Sequence, residues 1–497
     1  MKLRPIRMGI DTYHELVLYM RRDCPICLSE GFTANTRLLV SSNGFQVIAT
    51  LNVVDADMLE EDLVGLSDAL WEALHPNDDI TVSHAPVVTS MSDVRAKMFD
   101  RPLSNQSLHK IINDIAHGWY SDIQISAFLT ACAGDRLNSD EVVSLTQAMI
   151  DVGERLVWPG IDAVYDKHCI GGLPGNRTTP IVVAICSAAG LILPKTSSRA
   201  ITSPAGTADV MDVFTRVDLD IDDIRRTVEI ANGCLAWGGA VRLSPVDDLL
   251  IRVERALDLD SKGQLVASVL SKKVAAGSTH ILIDIPVGKT AKVRNAEDGE
   301  SLAALFRHVG SALDVRVDCV FTDGSQPIGR GIGPALEARD VMNVLRNTAD
   351  APTDLREKSL DLCAHLLAMA NHGDAVAARK RATELLDDGT AWLQFEKICL
   401  AQGRLSDIPK APHTKVLLAH QHGTISEIDN RRIARLAKLA GAPRAVSAGL
   451  ELFVHIGDSI VREQPLMAIH AESEGELDYA LLYYLDNRDM ISVGDEA

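Results

Sequence analysis

Aromatic side chains are scarce, 4% of 497 residues, so the cores must be assembled mainly from Ala, Val, Ile and Leu. Long apolar runs are missing too. The longest, Ile181 to Leu193, covers 13 residues and is interrupted by Ser187 and Gly190, short of the about 20 residues that cross a bilayer. The opening Met-Lys-Leu-Arg-Pro leads into polar residues without the apolar core of a secretion signal, which predicts a cytoplasmic protein. The nine cysteines are odd in number and lack framework spacing, which excludes a disulfide scaffold and fits a reducing compartment. Positive charge is in deficit: 49 Lys and Arg against 68 Asp and Glu leave a net charge of −19. Such a chain repels a nucleic-acid backbone. Neither nucleic acid nor membrane is expected as a partner, and an anionic small molecule would need positive charge gathered locally.

The one close cysteine pair is Cys24-Pro-Ile-Cys27. A zinc site needs a second pair or two suitably spaced histidines, and neither follows nearby. A redox pair needs a strand before it and a helix opening at it. The expectation is two incidental thiols in a loop, and no metal cofactor.

What is present is ordinary globular composition, 46% hydrophobic and 24% charged. At roughly 100–200 residues per domain, two to four domains are expected. Residues 1–88 read as a small β-containing domain, with runs Thr36–Val40 and Phe45–Val54 joined by the hairpin signal Ser42-Asn43-Gly44. Residues 89–157 read as a helical domain. Its first helix is capped by Ser104 and carries a stripe of Leu108, Ile111, Ile112, Ile115 and Trp119. A second carries Ile125, Phe128, Leu129 and Cys132. A third runs through Val142, Leu145, Met149, Val152 and Leu156, with Asn138 and Glu141 spaced as a capping box. From 158 to 410 strands, glycine-rich loops and helices alternate, which predicts a mixed α/β domain. Residues 414–497 alternate short strands with turn glycines around one helix, Asn430 to Ala440, which predicts an α+β domain. The fold class is α/β, multidomain.

The most informative stretch is Asp166-Lys-His-Cys-Ile-Gly-Gly-Leu-Pro-Gly-Asn-Arg-Thr-Thr-Pro180. Gly171, Gly172 and Gly175 let backbone amides approach an anion closely. Thr179 as N-cap and Pro180 in the first turn predict a helix whose free amides and dipole favour phosphate. Lys167 and Arg177 add positive charge. The spacing is neither a Walker loop nor a dinucleotide fingerprint. A second loop repeats the logic after a short strand Leu191–Leu193. It carries hydroxyls at Thr196, Ser197, Ser198, Thr202, Ser203 and Thr207, with Ser203-Pro204 as another helix start. Ligands of α/β sheets bind beyond such strand ends. Ser268 and Lys272 lie four apart on one helical face, by themselves no more than a solvated surface. Gly329-Arg-Gly-Ile-Gly333 reads as a turn before a helix near Pro334.

Together, Lys167-His168-x-x-Gly171-Gly172, Ser197-Ser-Arg-Ala-Ile-Thr-Ser-x-Ala-Gly-Thr207 and Ser268-x-x-x-Lys272 resemble the thymidine and pyrimidine-nucleoside phosphorylase family. The Pro174-Gly-Asn insertion and the Ser198–Ser203 block resemble its long branch, which includes archaeal AMP phosphorylases and bacterial proteins regarded as thymidine phosphorylases. Ser29-Glu-Gly-Phe32 and Ala49–Asp55 look more like the bacterial members. The resemblance implies a helical domain completed by a segment near 245–275, a cleft that closes over substrate, and a homodimer or larger assembly. It implies phosphate contacts from Lys167, Gly172, Thr179, Ser197 and Thr207. Pyrimidine contacts would come from His168, Arg252 (or Arg255, by a shift of one residue in the alignment), Ser268 and Lys272. In the AMP phosphorylase branch the matching contacts are Gly172, Ser198 to Ser203 (Arg199 among them), Thr207, Ser268 and Lys292, with Asp260 as proton donor. Cys169 stands where the family usually has a serine that binds phosphate, and a thiol is a weak donor.

The activity implied is phosphorolysis of a pyrimidine nucleoside, with thymidine foremost and phosphate as substrate. The rival is phosphorolysis of nucleoside 5′-monophosphates. His168 or Asp260 would help the departing base. Anthranilate-type phosphoribosyl transfer shares the domain plan, but no paired acidic motif for magnesium pyrophosphate lies near the loop.

Overall fold

The computed structural model describes residues 2–60, 62–200, 203–257, 259 and 261–494. The chain divides into two compact units, residues 1–131 and 132–497.

In the first unit six strands close into a barrel: Lys2–Arg7, Val17–Arg21, Arg37–Ser42, Phe45–Val54, Leu63–Leu66 and Ile80–His84. Alternation along each strand turns Leu18, Met20, Leu38, Val40, Leu51 and Leu66 inward, where they are fully buried. Closure leaves no free edge. Asn43-Gly44 makes the expected hairpin turn. The cysteine pair is not in a loop: Pro25 opens a short helix, Pro25–Glu30, that follows the strand Val17–Arg21. Both thiols are buried in the barrel core, and burial, then Cys24, pushes the Cys27 thiol up to about 11. That is the opposite of an activated thiolate. Helices Met91–Met98, Asn105–Ala116 and Asp122–Cys132 follow. The first of these has little apolar contrast and escaped the sequence reading. Ser104 caps the second by accepting from Ser107 N–H. Trp119 falls beyond that helix and is partly exposed, so it is not on the buried stripe.

The second unit opens with helix Ser139–Asp151, which begins at the expected capping box of Asn138 and Glu141. It stops before Leu156. The elements that follow are strand β1 (Tyr165–Cys169), helix α1 (Thr178–Ala188), strand β2 (Leu193–Ser197), helix α2 (Thr207–Phe214) and strand β3 (Gly233–Trp237). Helices α3 (Pro245–Leu257) and α4 (Lys262–Ala275) come next, then strands β4 (His280–Val287) and β5 (Arg316–Asp323) and helices α5 (Pro334–Leu345) and α6 (Thr353–Met369). All ladders among these strands are parallel, in the orders β5-β4-β1 and β2-β3. Tyr165 N–H donates to Ile192 O at 2.8 Å, so β1 and β2 lie side by side. Parallel sheets need both faces covered, and α1, buried along its whole length, covers one.

Two sequence expectations change here. The second strand runs on through Pro194-Lys195-Thr196 to Ser197, because its ladder to β3 overrides the local break that proline suggests. Ser203-Pro204 does not start a helix; α2 begins at Thr207, after Gly206. The C-terminal segment supplies three strands of a four-stranded sheet, whose fourth is Gly331–Ile332, and a three-stranded sheet, with two helices among its described residues, Asn430–Leu439 and Glu474–Asp486, rather than one. The second, capped by Ser473, exposes Tyr479 and Leu482, which hid it from a periodicity reading. Among the described residues no helix is long and apolar enough to cross a membrane.

Candidate functional site

The ends of β1 and β2 bring the two loops together. Side chains alternate along a strand, so β1 sorts its residues onto two faces. Asp166 and His168 face β2 and α4, where Asp166 meets Lys195 and Lys273. Lys167 and Cys169 face the other way, toward Asp284 on β4.

Lys167 is fully buried, and its Nζ donates to Thr178 Oγ1 at 2.7 Å, at the first residue of α1. Asp284 lies 3.6 Å from it and 3.6 Å from Lys358 on α6. Lys358 also donates to Pro174 O at 2.8 Å, which ties the glycine loop to the helix layer. The loop's ammonium is thus set at the helix start by side chains, not left on a mobile arm.

The helix start differs from expectation. Thr179 is not the N-cap; Arg177 is, with φ 57 and no side-chain cap. Thr178 N–H is taken by Asn176 O at 2.8 Å, and Pro180 has no N–H to give. The helix end therefore offers fewer free amides than the motif suggested, and Lys167 supplies what they do not. Arg177 does not flank the anion site. Its buried guanidinium turns to Ile328 O (2.6 Å), Glu337 (3.4 Å) and Asp340 (3.5 Å). Asn176 spans Ala205 O and Glu337, joining the first loop to the second.

Gly172 sits in the loop at φ +83, a conformation that favours glycine. Cys169 packs against Gly175, and its sulfur accepts from Gly171 N–H at 3.5 Å. Burial, then Asp284, raises its thiol to about 11, so it stays neutral.

Ser197 ends β2 with a buried hydroxyl that has no hydrogen-bond partner among the described residues. A buried donor without a partner is costly, which makes it the most ligand-like atom of the second loop. Thr207 begins α2. Asp209 holds the loop shut by accepting from Ala200 N–H (2.7 Å) and Gly206 N–H (2.9 Å). A Cβ at Gly206 would meet Ser198 O at 2.5 Å, so only glycine lets the two arms of this loop approach. Ser198 is exposed, and Ser203 Oγ donates to Ala205 O at 2.8 Å. Arg199 already has protein partners. Asp209, Asp212 and Asp218 hold its guanidinium over the Trp237 ring, so its charge is already matched.

His168 is half-buried at the end of β1. Burial first, then Lys195, Lys273, Lys272 and Lys167, hold its imidazole well below the usual range, so it is neutral at pH 7. A neutral ring can donate or accept a hydrogen bond but is a poor source of a proton. Ser268 and Lys272 sit half-buried on α4, as their spacing indicated, and Lys272 pairs with buried Asp247 of α3. On α3 Arg252 is half-buried while Arg255 is exposed. Lys292 is exposed in the segment after β4, apart from these strand ends in sequence. Asp260 lies outside the described residues.

Sequence reasoning missed Asp166, Lys195, Lys273, Asp284 and Lys358, all buried or nearly so. The available signal was charge inside strand and helix segments that otherwise bury apolar residues, since Lys and Asp are almost never fully buried unless paired.

Three family models match the chain. They are described as the glycosyl transferase family helical bundle domain (residues 94–153), the glycosyl transferase family a/b domain (162–392) and the pyrimidine nucleoside phosphorylase C-terminal domain (424–487). A protein of Acidovorax sp. (strain JS42) named "Putative thymidine phosphorylase 2" is 55% identical, over 97% of this chain and 94% of its own. A "Putative thymidine phosphorylase" of Legionella pneumophila (strain Paris) is 52% identical over 100% of this chain and 96% of its own. Among solved structures, anthranilate phosphoribosyltransferase from Thermus thermophilus superposes with a TM-score of 0.53 at 15% identity, over 62% of this chain and 98% of that one. At that identity the likeness is one of fold.

Proposed function

Because this chain belongs to the thymidine and pyrimidine-nucleoside phosphorylase family, we propose that it catalyses the reversible phosphorolysis of a pyrimidine nucleoside, thymidine foremost, to free base and (deoxy)ribose 1-phosphate. The observations that carry this reading are the meeting of Lys167 with Thr178 at the helix that follows the glycine loop and, at the end of the neighbouring strand β2, the unpartnered Ser197 hydroxyl. A lysine, a helix N-terminus and a spare donor at adjacent parallel strand ends suit a phosphate.

In this mechanism a phosphate oxygen forms the bond to C1′ as the C1′–N bond breaks. The base leaves with the electron pair and then takes up a proton. The protein's part is positioning and charge stabilisation. Lys167, Thr179, Ser197, Gly172 and Thr207 hold phosphate; Arg252, Ser268 and Lys272 hold the pyrimidine. His168, neutral, gives the base a hydrogen bond and does not supply its proton. The reaction needs no metal cofactor in this reading, and the enzyme works in the cytoplasm as a homodimer or larger assembly in nucleoside salvage.

The test is to incubate the purified chain with phosphate and, separately, thymidine, uridine, AMP, CMP and UMP, and to measure free base. Thymidine or uridine should release base only when phosphate is present. Release from the monophosphates alone would move the assignment to nucleoside 5′-monophosphate phosphorolysis.

A further inference from the structure

Asp166 lies 3.0 Å from Lys195 Nζ and 3.0 Å from Lys273 Nζ. All three are buried, and Lys273 also donates to Thr196 O at 2.9 Å. Two lysines facing one aspartate leave a surplus of one positive charge inside the protein. Buried charge without a counter-charge is expensive, so the surplus calls for an anion nearby. Strand alternation says where. On β1 Asp166 shares its face with His168, and on β2 Lys195 shares its face with Ser197. The triad therefore sits one pleat, about 7 Å along the strands, behind the pair that ends them.

We propose that Lys195, Asp166 and Lys273 are positioning residues for phosphate: a buried triad whose single surplus charge is matched by the anion bound beyond His168 and Ser197. The proposal rests on the phosphorolytic reading above. The charged and titratable groups facing Lys195 are Asp166 and His168 from β1, Lys273 from α4 and Cys234 from β3. Only Asp166 among them carries negative charge. Burial lowers the Lys195 ammonium well below its usual range, with Lys273 adding to the effect against Asp166. On the other face of β1, Lys167, Asp284 and Lys358 repeat the same two-to-one composition.

Phosphate binding by isothermal titration tests the proposal without reference to turnover, alongside KM for phosphate and for nucleoside. Lys195→Met removes the surplus while leaving the Asp166–Lys273 pair intact. Its phosphate Kd should rise on the order of ten- to thirtyfold, the effect of one charge at about 8–10 Å in a partly screened site. Its KM for nucleoside should stay within about threefold. The double variant Lys195→Met/Asp166→Asn restores the surplus and should return the phosphate Kd to within about threefold of the unaltered protein, whereas a role in packing alone predicts no rescue. Should Lys195→Met fail to fold, Lys273→Met with and without Asp166→Asn makes the same comparison. Unchanged phosphate binding in the single variant, or a double variant no better than the single, overturns the proposal alone. If the unaltered protein bound no phosphate, the phosphorolytic reading would fall and the proposal with it.

Discussion

The barrel and the α/β unit bury very different things. Across the barrel segment, residues 2–84, the buried polar side chains among the described residues are Ser42 and Ser67, and neither is charged. In the second unit Asp166, Lys167, Arg177, Lys195, Lys273, Asp284, Glu337, Asp340 and Lys358 are all buried. The barrel follows the ordinary rule that apolar surface goes inside. The α/β unit breaks it around one strand and one loop. Buried ion pairs are weak evidence of stability, since desolvation offsets much of the attraction. Those gathered around β1, Asp166, Lys167, Lys195, Lys273, Asp284 and Lys358, point to chemistry, and the barrel's plain core points to architecture.

The sharpest way to break this contrast is to remove a charge from each kind of buried cluster. Lys167→Met should lower kcat/KM for phosphate by roughly a hundred- to a thousandfold, the cost of losing one preorganised electrostatic contact, as measured by steady-state kinetics at saturating nucleoside. Full activity would remove Lys167 from the site.

Arg177→Met should act on the fold instead. It leaves Glu337 and Asp340 without their cation and should cost about 3–5 kcal/mol in denaturant unfolding. In the barrel, Leu51→Ala should cost about 2–5 kcal/mol through a cavity, while kcat/KM per folded molecule stays within about twofold. Equal loss of activity from the barrel variant would erase the distinction between the units.

How much of this was legible in sequence depends on the range of the interactions. Asn43-Gly44, the Asn138–Glu141 capping box and the Ser104 cap act within a few residues, and each appears where its spacing predicts. Ser203-Pro204 looked equally local but failed, because the Asp209 carboxylate reaches back to Ala200 and Gly206 and sets the helix start later. Arg177 sat in a phosphate-like loop, yet its partners Glu337 and Asp340 come from a distant helix, α5, beyond any local window. The Asp166 triad was invisible for the same reason: it joins β1, β2 and α4. The glycine loops could be read, but the charges that support them could not.

The smallest effect is a pH dependence. His455 Nε2 lies 3.7 Å from Asp354, whose carboxylate accepts from Gly329 N–H. The neighbouring Asp354 carboxylate raises the His455 imidazole above its usual value. The folded state therefore holds this proton more tightly than the unfolded state does. Its contribution is full below about 6.5 and is lost as pH rises through the folded value. His455→Gln should flatten that part of a stability-against-pH curve. An unchanged slope would mean the pair contributes nothing.

The most direct test of phosphorolysis is the fate of the sugar when thymidine and phosphate are given together. Phosphorus NMR should show one pentose 1-phosphate formed for each thymine released, with no release when phosphate is omitted. Free sugar in place of the phosphate ester, or thymine released at the same rate without phosphate, would contradict phosphorolysis.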